Sequence, residues 1–387
     1  MNKKAIAILG VIFLLIVGTL GFLVYQKYST NKTTGASPVS TSTPVTQGAS
    51  PSASTTPVTV PAGSLVKLSD AAVVSPTLFF NGTGITYFTP NGDLYQADLV
   101  SSGNSWQLSR QRNLNIKEKS GITKIYWPAA GNNFIAELGS SGKPLWSFFN
   151  SQTGDYTDYP SQIVSFDWMP TGDKIIYVWT QNGKSTLNIS DPDTKNWKKI
   201  ADMWELDDSV HVSPDGSSIV YYETSVLGSA STSNVSVASS TNSINMVTVD
   251  GKVWKTLVAS GYNSGVLWSP DSQKFLFGKK DPASGNFQLW YYNILTGDVK
   301  KLELFTVPSK AVWDKDSTTV YAAVSASANS GSGDRLFRLN TSTLEQKQLS
   351  GLTQSVNAGN LFLNQDGTGL FFQNTQDGFL YYLNISQ

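Results

Sequence analysis

Trp268-Ser269-Pro270-Asp271-Ser272 is the stretch whose reading decides the fold, because it returns along the chain. Val212-Ser213-Pro214-Asp215-Gly216 repeats it closely. Trp168-Met169-Pro170-Thr171-Gly172, Trp127-Pro128-Ala129-Ala130-Gly131 and Trp313-Asp314-Lys315-Asp316-Ser317 repeat it more loosely. The weakest copies are Leu363-Asn364-Gln365-Asp366-Gly367 and Phe80-Asn81-Gly82-Thr83-Gly84. The residues that open the seven copies are numbers 80, 127, 168, 212, 268, 313 and 363, with successive gaps of 47, 41, 44, 56, 45 and 50. A propeller blade of four short strands takes about 40–50 residues, so this period implies a radial array of small sheets. The long gap has a visible cause. Gly228 to Asn242 is a run of Ser, Thr, Asn, Ala and Val with no charge, and it reads as an inserted surface loop.

Each repeat has the same internal order. An apolar residue ends a strand, and a Pro, Asp and Gly/Ser cluster then turns the chain. Pro presets φ, Asp bonds its own backbone, and Gly tolerates positive φ. A continuous β-rich run follows, such as Ile175-Ile176-Tyr177-Val178-Trp179, as expected for a strand packed on both faces. A third run follows, such as Gln288-Leu289-Trp290-Tyr291-Tyr292, then a turn such as Leu295-Thr296-Gly297-Asp298. A short outer strand such as Val299-Lys300-Lys301-Leu302 closes the unit.

The last repeat is incomplete. After Phe379-Leu380-Tyr381-Tyr382-Leu383 only four residues remain, too few for a fourth strand. Leu65-Val66-Lys67-Leu68 looks like an outer strand without a blade of its own. Pairing the two closes the ring and removes an exposed sheet edge. The expectation is an all-β, seven-bladed β-propeller over residues 64–387, with six or eight blades as alternatives.

The Trp-Ser-Pro-Asp-Ser/Gly phrase, the β run behind it, and the Leu-Trp-Tyr-Tyr and Thr-Gly-Asp that follow resemble the TolB-type, WD40-like β-propeller repeat. The resemblance covers about residues 64–387 and is strongest at 212 and 268. It implies the fold and does not choose a function. Related propellers serve as envelope-complex subunits, as gating domains of peptidases, and as lyases or sugar-binding proteins.

Residues 1–28 read as a short cytoplasmic stub and a transmembrane signal-anchor. Ala5 to Tyr25 runs without a charge or Pro, and about 20 apolar residues span a bilayer core. Lys3 and Lys4 precede it, which places the N-terminus in the cytoplasm and the rest outside. A cleaved signal peptide is the alternative. Residues 29–63 hold 9 Thr, 7 Ser and 5 Pro with Lys32 the only charge, and read as a disordered linker.

Charged residues are 14% and the formal net charge is zero, without a basic stripe, so nucleic-acid binding is not expected. Absence of cysteine excludes disulfides, thiol chemistry and a lipoprotein anchor. There is no P-loop, no G-x-G-x-x-G and no G-x-S-x-G nucleophile elbow. One histidine, His211, excludes the usual His-rich zinc sites. No cofactor is expected. Asp191-Pro192-Asp193 is read as a strand-connecting turn, with calcium as the alternative. The motif aspartates Asp215, Asp271, Asp316 and Asp366 are read as structural.

His211 lies one residue before the opening of the fourth repeat, where an inner strand lines the central channel; it reads first as a packed or hydrogen-bonded histidine, with a channel-facing contact as the alternative. Glu205, Asp207 and Asp208 precede it and read first as a solvated loop, with a place at the channel mouth, beside Trp204, as the alternative that makes them contacts for a ligand or partner. Trp146, Trp179 and Trp204 read first as core, with stacking at a rim as the alternative. Two functional expectations follow. The first is a non-catalytic, membrane-tethered propeller that docks an envelope protein. The second is a propeller that binds polysaccharide or peptide, with lyase or hydrolase activity as an option. The profile fits a bacterial envelope protein.

Overall fold

The computed structural model describes residues 63–79, 82–102, 105–139, 144–203, 208–224, 242–325, 333–349, 352 and 354–386. The chain divides into Met1–Ser54 and Thr55–Gln387, and the propeller belongs to the second unit. The signal-anchor, residues 29–62 of the linker, Gly228 to Thr241 of the inserted loop, and Trp204 to Asp207 lie outside the described residues. Among the described residues no helix is long and apolar enough to cross a membrane.

Seven antiparallel sheets of four strands each make up the ring. Blades 1 to 6 take their strands in chain order from inner to outer. Their inner strands are Val74–Leu78, Ile122–Tyr126, Ile163–Trp168, Asp208–Val212, Asn263–Trp268 and Ala311–Trp313. Blade 7 takes three strands from the C-terminus, starting with Ala358–Leu363, and its outer strand is Leu65–Lys67. The closure pairs the expected strands, with Leu65 opposite Leu383, Val66 opposite Tyr382 and Lys67 opposite Tyr381. Leu68 extends it, donating its N–H to Leu380 O at 2.8 Å.

Second strands are the most buried, as their unbroken apolar runs required. Every residue of Gly84–Phe88 is buried, as are the first four of Ile175–Gln181. Outer strands such as Val299–Lys301 and Gln346–Gln348 are largely exposed. Their lysines discourage pairing with another sheet.

The repeated phrase builds a hydrogen-bonded turn. Ser213 donates its N–H to Ser218 O, and Gly216 donates to Ser213 O, both at 2.8 Å. Asp215 accepts from Ser213 Oγ at 2.5 Å and from Ser217 N–H at 3.0 Å. Asp271 does the same with Ser269 and Gln273. The motif aspartates are therefore turn staples. Successive turns also touch: Asp215 N–H donates to Ser272 Oγ, and Asp271 N–H to Ser317 Oγ.

In blade 1 the turn begins two residues earlier than the sequence pattern placed it. Phe79 donates to Gly84 O at 2.9 Å and Gly82 to Phe79 O at 2.7 Å. Leu78, not Phe80, therefore holds the opening position. Two glycines two apart permit either register. Gly82 takes the left-handed φ of +70°, and a Cβ on Gly84 would meet Ala97 O at 2.5 Å.

The tryptophans that open the repeats join one blade to the next. Trp168 Nε1 donates to Tyr126 O, Trp268 Nε1 to His211 O and Trp313 Nε1 to Leu267 O, at 3.0–3.1 Å. Each indole thus satisfies a carbonyl on the preceding inner strand. Trp268→Phe keeps an aromatic ring but removes the indole donor and the bulk of its five-membered ring. It should cost about 2–4 kcal/mol, read as a lower denaturant midpoint with unchanged slope; an unmoved midpoint would show that neither the bond nor the packing contributes.

Candidate functional site

Blade 4 opens with Val212, which has no indole to donate. At the seam between blades 3 and 4 the later blade still donates, but through main-chain N–H groups to side-chain acceptors on blade 3. Asp167, next to the opening residue of blade 3, accepts the N–H of Val212 at 2.8 Å through Oδ2. Its Oδ1 accepts the N–H of Trp168 at 2.8 Å. Ser165 Oγ accepts the N–H of Val210 at 3.2 Å. The serine bond has a counterpart at the seam of blades 1 and 2, where Ser75 Oγ accepts the N–H of Ile125, so it is Asp167 that stands in for the tryptophan and brings a carboxylate to the channel wall.

A cavity of about 370 Å³ opens along the inner strands of blades 2, 3 and 4. That lies within the range of small-ligand sites. Its lining includes Lys124, Tyr126, Asp167, Asp208, Ser209 and His211. Tyr126, Asp167 and His211 hold the same register position in three consecutive blades. They sit opposite Ile135, Ile176 and Val220 on the second strands. Blades 5, 6 and 7 carry Leu267, Val312 and Phe362 there. One side of the channel is therefore polar and the other apolar.

Each polar group has a defined state. Lys124 is exposed to the cavity, and its Nζ lies 4.3 Å from the centre of the Tyr126 ring. No carboxylate among the described residues forms an ion pair with it. Tyr126 donates its hydroxyl to Glu137 Oε2 at 2.6 Å, and burial, with that bond, raises its pKa far above the ordinary phenol value. Burial lifts the Asp167 carboxyl to about 6, although the two backbone N–H groups oppose the shift. Burial lowers His211 to about 4, with the charge of Lys124 acting in the same direction. The imidazole is thus neutral at physiological pH. Asp167 and His211 both keep a margin of exposure to the cavity.

His211 stacks on Tyr222, with ring centres 5.9 Å apart and planes 2° from parallel. Its Nε2 lies 3.1 Å from Ser209 Oγ. Tyr222 Oη accepts the N–H of Gly265 at 3.0 Å. A serine beside a neutral imidazole begins a nucleophile–base pair. Such a pair needs a third group to orient the imidazole. Among the described residues no hydrogen bond from another side chain to Nδ1 is present.

Of the candidates read from sequence, His211 and Asp208 meet in this cavity, and Asp208 is 2% exposed. Trp204, Glu205 and Asp207 are outside the described residues. Trp146 is 8% exposed and packs edge-on against Phe166 between blades 2 and 3, so it is core and not a rim platform. Trp179 packs against the same cluster. Asp191 binds Lys174 at 2.7 Å and Asn196 at 2.6 Å, and Asp193 binds Lys195 at 2.7 Å, as a turn requires. Among the described residues no three His, Asp or Glu side chains are grouped so as to hold a metal ion. Lys124, Ser165, Asp167 and Ser209 were not singled out from sequence. The signal for them was the alignment of inner strands, which places polar residues at one register in adjacent blades.

No protein-family profile matches the sequence, and no curated protein matches it. Solved structures match its fold. Two structures of oligogalacturonate lyase, one in complex with manganese and one from Vibrio parahaemolyticus, superpose with a TM-score of 0.59 at 12% identity, over 84% of this chain and 94% of theirs. The Cps50 (Swd1) β-propeller domain of Myceliophteria thermophila superposes with a TM-score of 0.54 at 10% identity, over 83% of this chain and 100% of its own. Identities this low show a shared seven-bladed propeller and nothing narrower, so the TolB-type resemblance is supported as far as the fold.

Proposed function

We propose that this chain is a recognition propeller that binds, without transforming, an acidic segment of polysaccharide or peptide in the cavity of blades 2 to 4. The segment Ala5 to Tyr25 holds it at the outer side of a membrane. The observation that carries this reading is Lys124, an exposed cation with no carboxylate partner among the described residues, in a cavity of ligand size. Around it, Ser209 and neutral His211 offer hydrogen-bonding atoms. Asp167 is engaged by backbone, so its charge is not offered in competition for the lysine. The non-catalytic reading is supported by His211, whose imidazole has no side-chain hydrogen-bond partner beyond Ser209 among the described residues.

The full-length chain in detergent should bind a tetramer of uronic acid or an acidic tetrapeptide saturably. Lys124→Met should weaken that binding at least tenfold while leaving the unfolding midpoint within a degree. Binding of neither probe, or equal binding by the variant, would overturn the reading.

One observation favours docking of an envelope protein as a second reading. The turns between third and outer strands of blades 3 to 6 lie at one end of the ring. Trp197 is 64% exposed, Val253 53%, Leu295 74% and Leu344 41%, so each of these four blades presents an apolar residue there. Recovery of one or two envelope proteins on the tethered chain, lost when Trp197 and Leu295 become Ser, would support it.

A further inference from the structure

A second cavity, of about 640 Å³, lies between blades 1 and 2 and has a different chemistry. Its floor is a row across three strands of blade 1. Thr77 stands opposite Thr86, and Thr86 opposite Gln96. The second-strand position of this row is Ile135, Ile176, Val220, Leu276, Tyr321 and Phe371 in blades 2 to 7. The third-strand position is Phe148, Ile189, Met246, Tyr291, Arg338 and Tyr382. In the other blades this row therefore fills the seam with bulk. In blade 1 it is polar throughout and short at the two threonines, and the seam stands open.

The polar groups on the floor are not used up inside the chain. Thr86 Oγ1 donates to Tyr95 O at 3.2 Å. The Thr77 hydroxyl and the Gln96 amide have no hydrogen bond to another described residue, and both side chains are half-buried. A primary amide offers two donors and an acceptor, and leaving it idle in a partly buried site is costly. Phe79 and Trp127 add aromatic surface to the walls. Trp127 is held in place by its Nε1, which donates to Ser75 O at 2.7 Å. Lys117, at the rim, is the only charged lining residue among those described, and Asp155 sits 3.4 Å from its Nζ.

We infer that this cleft is a binding site for a neutral sugar ring. A pyranose offers hydroxyls along its edge, which match the Gln96 amide and the Thr77 hydroxyl. Its faces carry C–H groups, which suit the rings of Phe79 and Trp127. Among the described residues a charged ligand finds no unpaired ion here. The inference does not depend on what that other cavity binds.

The test fills the seam with the residues that other blades use. Thr86→Ile and Gln96→Met each import a side chain already found at the same register, in blades 2 and 3 and in blade 4, so folding should be retained. The full-length chain in detergent should bind cellotetraose or maltotetraose saturably. Each variant should lose at least tenfold in affinity for that neutral probe, with an unfolding midpoint equal to or above that of the parent. Lys124→Met should leave affinity for the neutral probe unchanged, which separates this site from the lysine cavity whatever that cavity binds. Failure of both neutral probes to bind, or unchanged affinity in the two variants, would show that the cleft is only a solvent-filled gap.

Discussion

Deletion of residues 64–69 should lower the thermal midpoint by about 10 °C and make unfolding less cooperative. The closing strand supplies the backbone pairing of Leu65–Lys67, the bond from Leu68 to Leu380 O, and Ser69 Oγ, which accepts the N–H of Leu380 at 3.0 Å. Lys67 Nζ also rests 3.3 Å from the centre of the Phe379 ring. Several hydrogen bonds at about 1 kcal/mol each, with the burial of Val66 and Leu68, give a loss on the order of 5 kcal/mol. That is a large share of the stability of any domain, and for a chain of this size it corresponds to the stated shift. The strand Leu380–Asn384, otherwise buried along its whole length, would become an open edge prone to pairing with another copy. A calorimetric scan of the deleted chain is the check. An unchanged midpoint would mean that the ring closes by other means.

The second large effect concerns pH. Asp167 in the fold holds its proton to about pH 6, against 3.8 for a free side chain. Its contribution to stability is thus greatest below pH 4 and falls as pH rises through 6. His211 behaves in the opposite sense. Its folded pKa is about 4 against 6.5, so its contribution is present above pH 6.5 and is lost as pH falls toward 4. Each shift is worth at most about 3 kcal/mol, and water in the cavity makes that a ceiling. The two slopes oppose each other, so the parent chain should have nearly constant stability between pH 4 and 6. Asp167→Asn should expose the histidine slope, with stability lost on acidification across this window. His211→Gln should expose the carboxylate slope, with stability gained. Carboxylates held low by partners, such as Asp158 and Asp191, act only near or below pH 4. Denaturant midpoints at four pH values would decide; two variants that run parallel to the parent would remove the account of both groups.

Much of the ring was legible in the sequence because the cause is local. Pro-Asp-Gly turns and unbroken apolar runs act over a few residues, and the missing fourth strand of the last repeat could be counted. The role of Leu65 to Lys67 as the closing strand followed from that count. The first repeat misled by two residues because Gly82 and Gly84 are both small, and only the backbone conformation distinguishes them. The candidate site was less legible. His211 and Asp208 stood out by residue type. Asp167 did not, because its role comes from a neighbour's lack: Val212 replaces a tryptophan in the next blade, and the carboxylate takes over the seam. Lys124 is one lysine among many until three blades are placed around it. The polar row of blade 1 is likewise visible only against its register mates.

The most direct test uses the fact that the chain has one histidine. The imidazole signals of His211 report on the cavity of blades 2 to 4 without assignment ambiguity. Titration of the full-length chain with a uronic-acid tetramer or an acidic tetrapeptide should shift these signals saturably. The shift should vanish in Lys124→Met. Saturable binding that leaves the His211 signals unmoved would place recognition elsewhere on the ring and contradict the proposed site.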